Sequence, residues 1–329
     1  LIVTNFNLVF IKNNLPIEIA PSHKLSGQVA KGALGDNLFF GYGPENFSLA
    51  FDKYGARELR NATLSGAKFF DATSQVMNTA VHGGLVGLAG LGFVIFILVL
   101  ALFKLVKSNL VVLGPEDIGV ISSVVAAGAA LFFYPFNSVL LFTFYLLLAL
   151  LVLALWDNNK VVYSVEKSAS LSAATSLGFI GGLILALVSL YFVFLNYAAD
   201  IKYAAALAQD GPENAITGIV KAIKLNNNDD RFYRSSSQLF LVVLSKELGS
   251  KPVKDDNEKN TRIQNYLSSA VGLAQKAVQT APDESSNWAN LGNIYQNLMR
   301  FVEGADTLAE SSYLKASELR PGDPSFYNS

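Results

Sequence analysis

The sequence predicts an all-α protein in which a multi-pass helical membrane domain is followed by an α-solenoid. Three observations predict this fold. Four long apolar runs lie between residues 83 and 197, the mean hydropathy is +0.36 with only 16% charged residues, and the last 132 residues are polar and helix-forming. A chain of 329 residues is long enough for about two domains. This composition is too apolar for two soluble domains, so one of them is predicted to lie in a membrane.

Four transmembrane helices are predicted, because a helix needs about 20 apolar residues to cross roughly 30 Å of hydrocarbon. They cover residues 83–106, 118–134, 138–156 and 177–197. The second and third flank Pro135, and proline disfavours helix both at its own position and at the preceding residue. A tight hairpin is therefore predicted there, since a single kinked helix would have about twice the needed length. Gly178, Gly181 and Gly182 in the last helix favour close helix packing.

The first residues, LIVTNFNLVFI, lack the basic region and cleavage site of a signal peptide. We interpret residues 1–11 as the end of a truncated transmembrane helix, followed by a loop at 12–82. Lysines in short connections mark the cytoplasmic side, and four of them lie in two such connections: Lys104, Lys107, Lys160 and Lys167. The sequence thus predicts a multi-pass inner-membrane protein whose 12–82 loop and 198–329 tail are both extracytoplasmic.

The tail has a helical-repeat pattern. Trp288, Leu291, Gly292 and Tyr295 have the spacing of the first helix of a tetratricopeptide repeat, whose period is 34 residues. The matching second-helix positions, displaced by the insertion MRFVEGADT, are Ala309, Tyr313, Ala316 and Pro321. These positions are typical of a core rather than of a ligand site. Residues 198–329 are therefore predicted to form a tetratricopeptide domain, interrupted by a surface loop around 249–260.

Composition excludes several classes of function. A net charge of -1 gives no concentrated basic face for nucleic acid. The absence of cysteine excludes disulfides, thiolate catalysis and zinc fingers. Asp36 and Glu45 lack the further spaced ligands of a cation site, and GYGPENF lacks the Lys-Ser/Thr ending of a phosphate-binding loop. No metal or cofactor is predicted, and the absence of charge at mid-span disfavours a transporter.

Several motifs are shared with one family. They are PIEIAPS at 16–22, GYGPENF at 41–47, FDKY at 51–54, Phe70-Asp71, GLVG at 84–87 and FVEGAD at 301–306. Over almost the whole chain the sequence resembles the bacterial O-antigen ligase-like membrane proteins. The resemblance implies a helical multi-pass fold and metal-independent transfer of a glycan from an undecaprenyl diphosphate carrier to a lipid or protein acceptor. It also implies that arginines hold the diphosphate.

One position departs from that family. The ligases carry a histidine eleven residues before the GxxG motif, and Thr73 stands there in this chain. A threonine hydroxyl cannot act as a general base at neutral pH as imidazole does. Asp71 is the nearest carboxylate and is predicted to be the catalytic base, with a helix N-cap as its alternative role. His82, at the start of a predicted span, is interpreted as an interfacial residue.

Lys53, Arg57 and Arg60 are predicted to bind the diphosphate. Their spacing of three and four residues would put them on one face of a helix, and guanidinium groups bind phosphate oxygens in pairs. A solvated surface is the alternative. Gly41 and Gly43 are predicted to form turns at positive φ.

Two functions therefore remain open. The first is an O-antigen ligase- or polymerase-type glycosyltransferase of cell-surface polysaccharide assembly. The second is a non-catalytic, membrane-anchored scaffold whose tetratricopeptide domain binds a protein partner.

Overall fold

The computed structural model describes residues 20–59, 67–107, 115–155, 169–249, 256–323 and 326. Within these residues the protein is all-helical, with eleven α-helices, a 3-10 helix at Ala56–Leu59 and no strand. The all-α prediction is confirmed. The chain divides into two compact units, residues 1–58 with 67–157, and residues 59–66 with 158–329. The predicted helix end at residues 1–11 lies outside the described residues.

The first unit contains five helices: α1 (His23–Asp36), α2 (Phe47–Tyr54), α3 (Gln75–Lys107), α4 (Pro115–Ala130) and α5 (Ser138–Leu155). Ser22 caps α1 by accepting a hydrogen bond from the Leu25 N–H at 3.2 Å. Phe47 and Phe51 of α2 are fully buried. Burying each ring stabilises the fold by roughly 1.5–3 kcal/mol, so the region before α3 has a core of its own.

Helix α3 bends sharply at Gly84, whose φ of 57° and ψ of -147° are not helical. A straight helix would separate Thr79 from Gly87 by about 12 Å. A Cβ built on Gly87 would nevertheless lie 3.2 Å from the Thr79 carbonyl oxygen. The bend divides α3 into a first arm, residues 75–83, and a second arm, residues 85–107. The predicted span begins at this bend, but the helix itself begins earlier, inside the predicted loop.

The second arm packs against α4 and α5 through two apolar clusters. Leu98, Val124 and Leu151 form one, and Leu131, Phe136 and Phe144 form the other. Asn137 begins α5 by accepting a hydrogen bond from the Leu140 N–H at 2.9 Å. Helix α4 ends at Ala130, four residues before the predicted end of its span, because the chain turns ahead of Pro135.

Two described helical segments are long and apolar enough to cross a membrane, Gln75–Phe103 and Ser172–Leu207. The apolar segments Ile118–Ala130 and Ser138–Leu153 are shorter. Membrane association is therefore supported at two of the four predicted spans. The multi-pass arrangement and the cytoplasmic assignment of the lysine-bearing connections stay predictions.

The second unit contains six helices: α6 (Ala169–Leu207), α7 (Pro212–Leu225), α8 (Asp230–Gly249), α9 (Asp256–Thr280), α10 (Ser285–Leu298) and α11 (Ala305–Leu319). Helix α6 runs for 39 residues without a break. The predicted domain boundary at 197–198 therefore falls inside one helix. Ala199 and Ala206, beyond that boundary, are buried with Ile219 and Phe232, so the end of the apolar helix belongs to the core of the polar half.

The predicted repeat positions of α10 and α11 are in contact. A Cβ on Gly292 would lie 3.1 Å from the Tyr313 ring, and Tyr295 accepts a hydrogen bond from Gln275 at 2.9 Å. Leu291, Ala309 and Ala316 are buried. The tetratricopeptide assignment itself stays a prediction.

Two local expectations for the second unit fail. Residues 256–260 were expected in a surface loop but belong to α9, while 250–255 lie outside the described residues. Among the described residues, nothing lies within 4 Å of a Cβ built on Gly178, Gly181 or Gly182. The close packing predicted for this face of α6 is therefore not seen in the described part of the chain.

Candidate functional site

A loop crosses the bend of α3 and takes over the hydrogen bonds that the bend breaks. The N–H groups of Tyr42 and Gly43 donate to the carbonyls of Val81 and His82 at 2.7 and 3.0 Å. In return, the Leu85 N–H donates to Leu38 at 2.9 Å and the Val86 N–H to Phe39 at 3.1 Å. A continuous helix would have joined 85 to 81 and 86 to 82. We call residues 37–45 the clamp loop, because it satisfies both helix ends at the bend.

Two glycines make this crossing possible. Gly41 has φ +63°, and a Cβ there would lie 2.2 Å from the Val81 carbonyl oxygen. Gly84 has φ +57°, and its Cβ would lie 2.7 Å from the Leu38 carbonyl oxygen. Both positions therefore exclude any side chain. The prediction that Gly41 and Gly43 form turns at positive φ is confirmed.

Asp36 is the centre of a first polar cluster. Its carboxylate accepts hydrogen bonds from the Tyr42 hydroxyl and from Lys53 Nζ, the latter at 2.7 Å. Burial alone would raise the pKa of Asp36, but the bonds from Lys53 and Tyr42 outweigh it and lower the pKa to about 2. The same bond raises the pKa of Lys53. Lys53 is thus already paired with a carboxylate.

Replacing Asp36 with asparagine is expected to remove a pH-dependent part of the stability. Because the folded pKa lies below the ordinary value of 3.8, the carboxylate stabilises the fold above pH 3.8, and this contribution is lost as the pH falls toward 2. The difference in unfolding free energy between wild type and Asp36→Asn should be constant at neutral pH and shrink in that acid range. A pH series of chemical unfolding curves measures it. A difference that persists unchanged at pH 2 would contradict this role.

Asp71 lies in a second polar cluster. Its Oδ1 accepts a hydrogen bond from Asn78 Nδ2 at 2.8 Å, and the buried Asn78 also accepts from the Ala72 N–H. The alternative role of Asp71 as a helix N-cap is wrong, since Ser74 Oγ accepts from the Met77 N–H at 3.3 Å. Asp71 is exposed and is held in place by Asn78.

His82 belongs to this second cluster. Its Nε2 is buried and has no hydrogen-bond partner among the described residues. Asp71 and Glu45 both lie within electrostatic range of the ring. Glu45 is exposed and has φ +64°, a conformation that costs a residue with a side chain about 1–3 kcal/mol. A strained residue and an unsatisfied buried nitrogen in one cluster are features that concentrate at functional sites.

Thr73, at the position of the family histidine, has a structural role here. Its hydroxyl donates to the Pro21 carbonyl, its Oγ1 lies 2.9 Å from Ser26 Oγ, and its N–H donates to that Oγ at 3.1 Å. These bonds join the segment before α3 to the start of α1. Thr73 therefore fastens two segments together and provides no base.

Two of the three predicted phosphate-binding cations, Lys53 and Arg57, do not lie on one helix. Helix α2 ends at Tyr54, and Arg57 lies on the following 3-10 helix, while Arg60 lies outside the described residues. Gly55 follows the helix and packs closely on Phe51, with a Cβ there only 2.6 Å from the ring. Arg57 is exposed, and no ion pair is found for it among the described residues. Lys53 belongs to the cluster around Asp36, and Asp71 belongs to the second cluster.

Sequence reasoning missed His82 and Glu45. The signal for His82 was its place two residues before Gly84, and the signal for Glu45 was its place inside the glycine-rich clamp loop. Among the described residues, no group of three or more acidic or histidine side chains is arranged to hold a metal ion.

Comparison of the chain with protein-family models and with curated proteins finds no match.

Proposed function

We propose that this chain is an O-antigen ligase-like glycosyltransferase that moves a glycan from an undecaprenyl diphosphate carrier to a lipid or protein acceptor outside the cell membrane. The observation that carries the proposal is the clamp loop. Its GYG segment, part of the GYGPENF motif of the resemblance, closes the bend of α3 where the apolar arm begins. Glu45 belongs to this loop, and Asp71 and Glu45 both lie within electrostatic range of the His82 ring. This arrangement supports chemistry on a lipid-linked substrate.

The transfer needs a base and a charge partner for the leaving group. The bond between the anomeric carbon and the diphosphate oxygen breaks, while the acceptor oxygen forms a bond to that carbon and gives up its proton. Asp71 is the base in this proposal, because it is exposed and oriented by Asn78. Arg57 and Arg60 neutralise the departing lipid diphosphate, an interaction that guanidinium groups favour. Lys53 takes part only if it leaves Asp36, so its role is the weakest of the three.

The double variant Arg57→Ala/Arg60→Ala is expected to lose glycan transfer at least about a hundredfold, since two charge-assisted contacts contribute roughly 1.5–3 kcal/mol each. The assay measures transfer in membranes that contain the lipid-linked donor. Lys24→Ala/Lys31→Ala is the matched control, because it removes two exposed cations from α1 and should keep full activity. Equal activity of both double variants would make the arginine assignment wrong.

The proposed location is the inner membrane, with four spans and with the loop and the tetratricopeptide domain outside. Two apolar helical segments of sufficient length support the membrane part. The continuous helix α6 supports a direct link from the membrane to the repeat domain. In this arrangement the repeat domain binds a protein partner or the acceptor close to the membrane surface.

A membrane-anchored scaffold is the second candidate, favoured by Thr73. The threonine at the family histidine position is bonded to Pro21 and Ser26 and is unavailable for catalysis. In a scaffold only the repeat domain would act, by binding a protein. An assay of glycan transfer separates the two candidates. A scaffold would keep its protein-binding function without both arginines and Asp71, whereas a transferase would lose its activity.

A further inference from the structure

We infer that an exposed apolar rim of the first unit lies in the interface of the lipid bilayer, so that the clamp loop is itself a membrane anchor. This apolar rim consists of two segments, residues 38–40 and residues 132–134. The inference rests on the membrane-spanning role proposed for α3. It goes beyond that role, because it places a segment outside the predicted spans in contact with lipid.

Both segments expose large apolar side chains. The exposed fractions are 61% for Phe39 and 69% for Phe40 on the clamp loop, and 71% for Phe133 on the turn between α4 and α5. Leu38, Phe132 and Tyr134 are also exposed. Three consecutive exposed large apolar side chains in each of two segments are uncommon on a protein surface that faces water.

Main-chain hydrogen bonds fix the position of the first segment along the axis of α3. The carbonyls of Leu38 and Phe39 accept from Leu85 and Val86, the first two residues of the second arm. Residues 38–40 therefore lie beside the start of that arm. The contact is backbone to backbone, so these side chains have no role in the bonds that hold the loop and remain exposed.

The second segment is fixed in the same way. The carbonyls of Tyr134 and Leu131 accept hydrogen bonds from Gln75 and Val76 at 3.0 and 3.2 Å. Leu131 also packs near Leu91 of the second arm. Both segments are thus attached to the same end of the apolar bundle.

The length of the second arm places this end at the bilayer surface. Residues 85–103 contain no charged side chain, and Lys104 follows them. Nineteen residues span about 28 Å as a helix, close to the roughly 30 Å of the hydrocarbon core. If Lys104 lies at one surface, residue 85 must lie at the other. The rim then lies where aromatic side chains concentrate in membrane proteins.

Polar residues lie close to the first segment in the chain, both before and after it. Asp36 and Lys53 form their ion pair two residues before Leu38, and Tyr42 bonds Asp36 two residues after Phe40. The apolar segment 38–40 is therefore flanked on both sides by residues of the first polar cluster. This matches the boundary between hydrocarbon and headgroups, and it would bring the second polar cluster to the level of a lipid diphosphate.

Single-cysteine spin labelling tests the inference, because the chain has no cysteine of its own. Phe39→Cys and Phe133→Cys are labelled in the full chain in lipid nanodiscs, and collision rates with oxygen and with a water-soluble nickel complex are compared. Phe96→Cys, in the middle of the second arm, is the lipid reference. Phe301→Cys is the matched control, since Phe301 is an exposed phenylalanine (48%) in the polar half.

We expect the ratio of oxygen to nickel collisions at residues 39 and 133 to be several-fold above that at residue 301 and below that at residue 96, because the interface lies between water and the middle of the bilayer. A ratio at residues 39 and 133 equal to that at 301 would place the rim in water. Low collision rates with both reagents would place it under another protein chain. Either result overturns the inference, provided that the label at residue 96 has the ratio expected in lipid. A water-like ratio at residue 96 would instead overturn the membrane role of α3 on which the inference rests.

Discussion

Alanine at Gly41 is expected to destabilise the first unit by about 3 kcal/mol. The new Cβ would lie 2.2 Å from the Val81 carbonyl oxygen, and the backbone is at φ +63°. Forcing atoms into a packed region costs about 1–3 kcal/mol. A left-handed backbone with a side chain adds about 1–2 kcal/mol. Relief of the clash would pull the clamp loop off both helix ends at the bend.

Gly43→Ala is the matched control for this prediction. Gly43 also has positive φ, +87°, but its Cβ would meet only Asn46 Nδ2 at 3.4 Å. Its loss should be about 1 kcal/mol, from the backbone conformation alone. Thermal unfolding of both variants in lipid nanodiscs, with protease sensitivity of the loop, measures the difference. Equal losses for the two variants would show that the loop does not hold the bend.

Replacing Asp71 with asparagine is expected to lower glycan transfer by about 10²–10⁴-fold, the range that general-base catalysis contributes. The amide keeps the shape of the side chain, and its oxygen can still accept the hydrogen bond from Asn78. The fold should therefore persist while the proton acceptor is lost. Transfer is measured in membranes with lipid-linked donor, and thermal unfolding is measured in parallel.

Glu58→Gln is the control for Asp71, because it neutralises an exposed carboxylate on the 3-10 helix. It should keep full transfer activity. The variant His82→Asn tests the neighbouring group. Full activity in Asp71→Asn together with loss in His82→Asn would assign the base to the histidine and make the Asp71 assignment wrong.

The helical class and the positions of the apolar helices could be predicted because hydropathy over 20 residues is a local property of the chain. Their ends could not. Helix α3 begins at Gln75 because the clamp loop satisfies a bend that no hydropathy window detects. Helix α6 continues past residue 197 because Ala199 and Ala206 find partners on α7 and α8. In both cases the contact is tertiary: the clamp loop contacts α3, and α7 and α8 contact the end of α6.

The positive φ of Gly41 and Gly43 was predictable, since glycine is the residue that adopts it freely. What the turn does was not predictable. The clamp loop bonds residues about 40 positions away, and only the folded chain brings them together.

In the candidate site, too, some features could be predicted from the sequence and others could not. A shared helix face for Lys53 and Arg57 followed from their spacing, and it is wrong because α2 ends at Tyr54 and Arg57 lies on the following 3-10 helix. His82 resembled an ordinary interfacial residue in the sequence. Its Nε2 is buried without a hydrogen-bond partner among the described residues, and this depends on the tertiary structure, so the sequence alone cannot show it.

The most direct test of the proposed function is to delete the gene in its host and to measure surface glycans and lipid-linked precursors by gel ladder and mass spectrometry. The account predicts loss of a long-chain surface glycan together with accumulation of its undecaprenyl diphosphate-linked precursor. Restoring the wild-type gene should reverse both changes, and the Asp71→Asn gene should not. Unchanged glycans with no accumulated precursor would contradict the transferase and favour the scaffold.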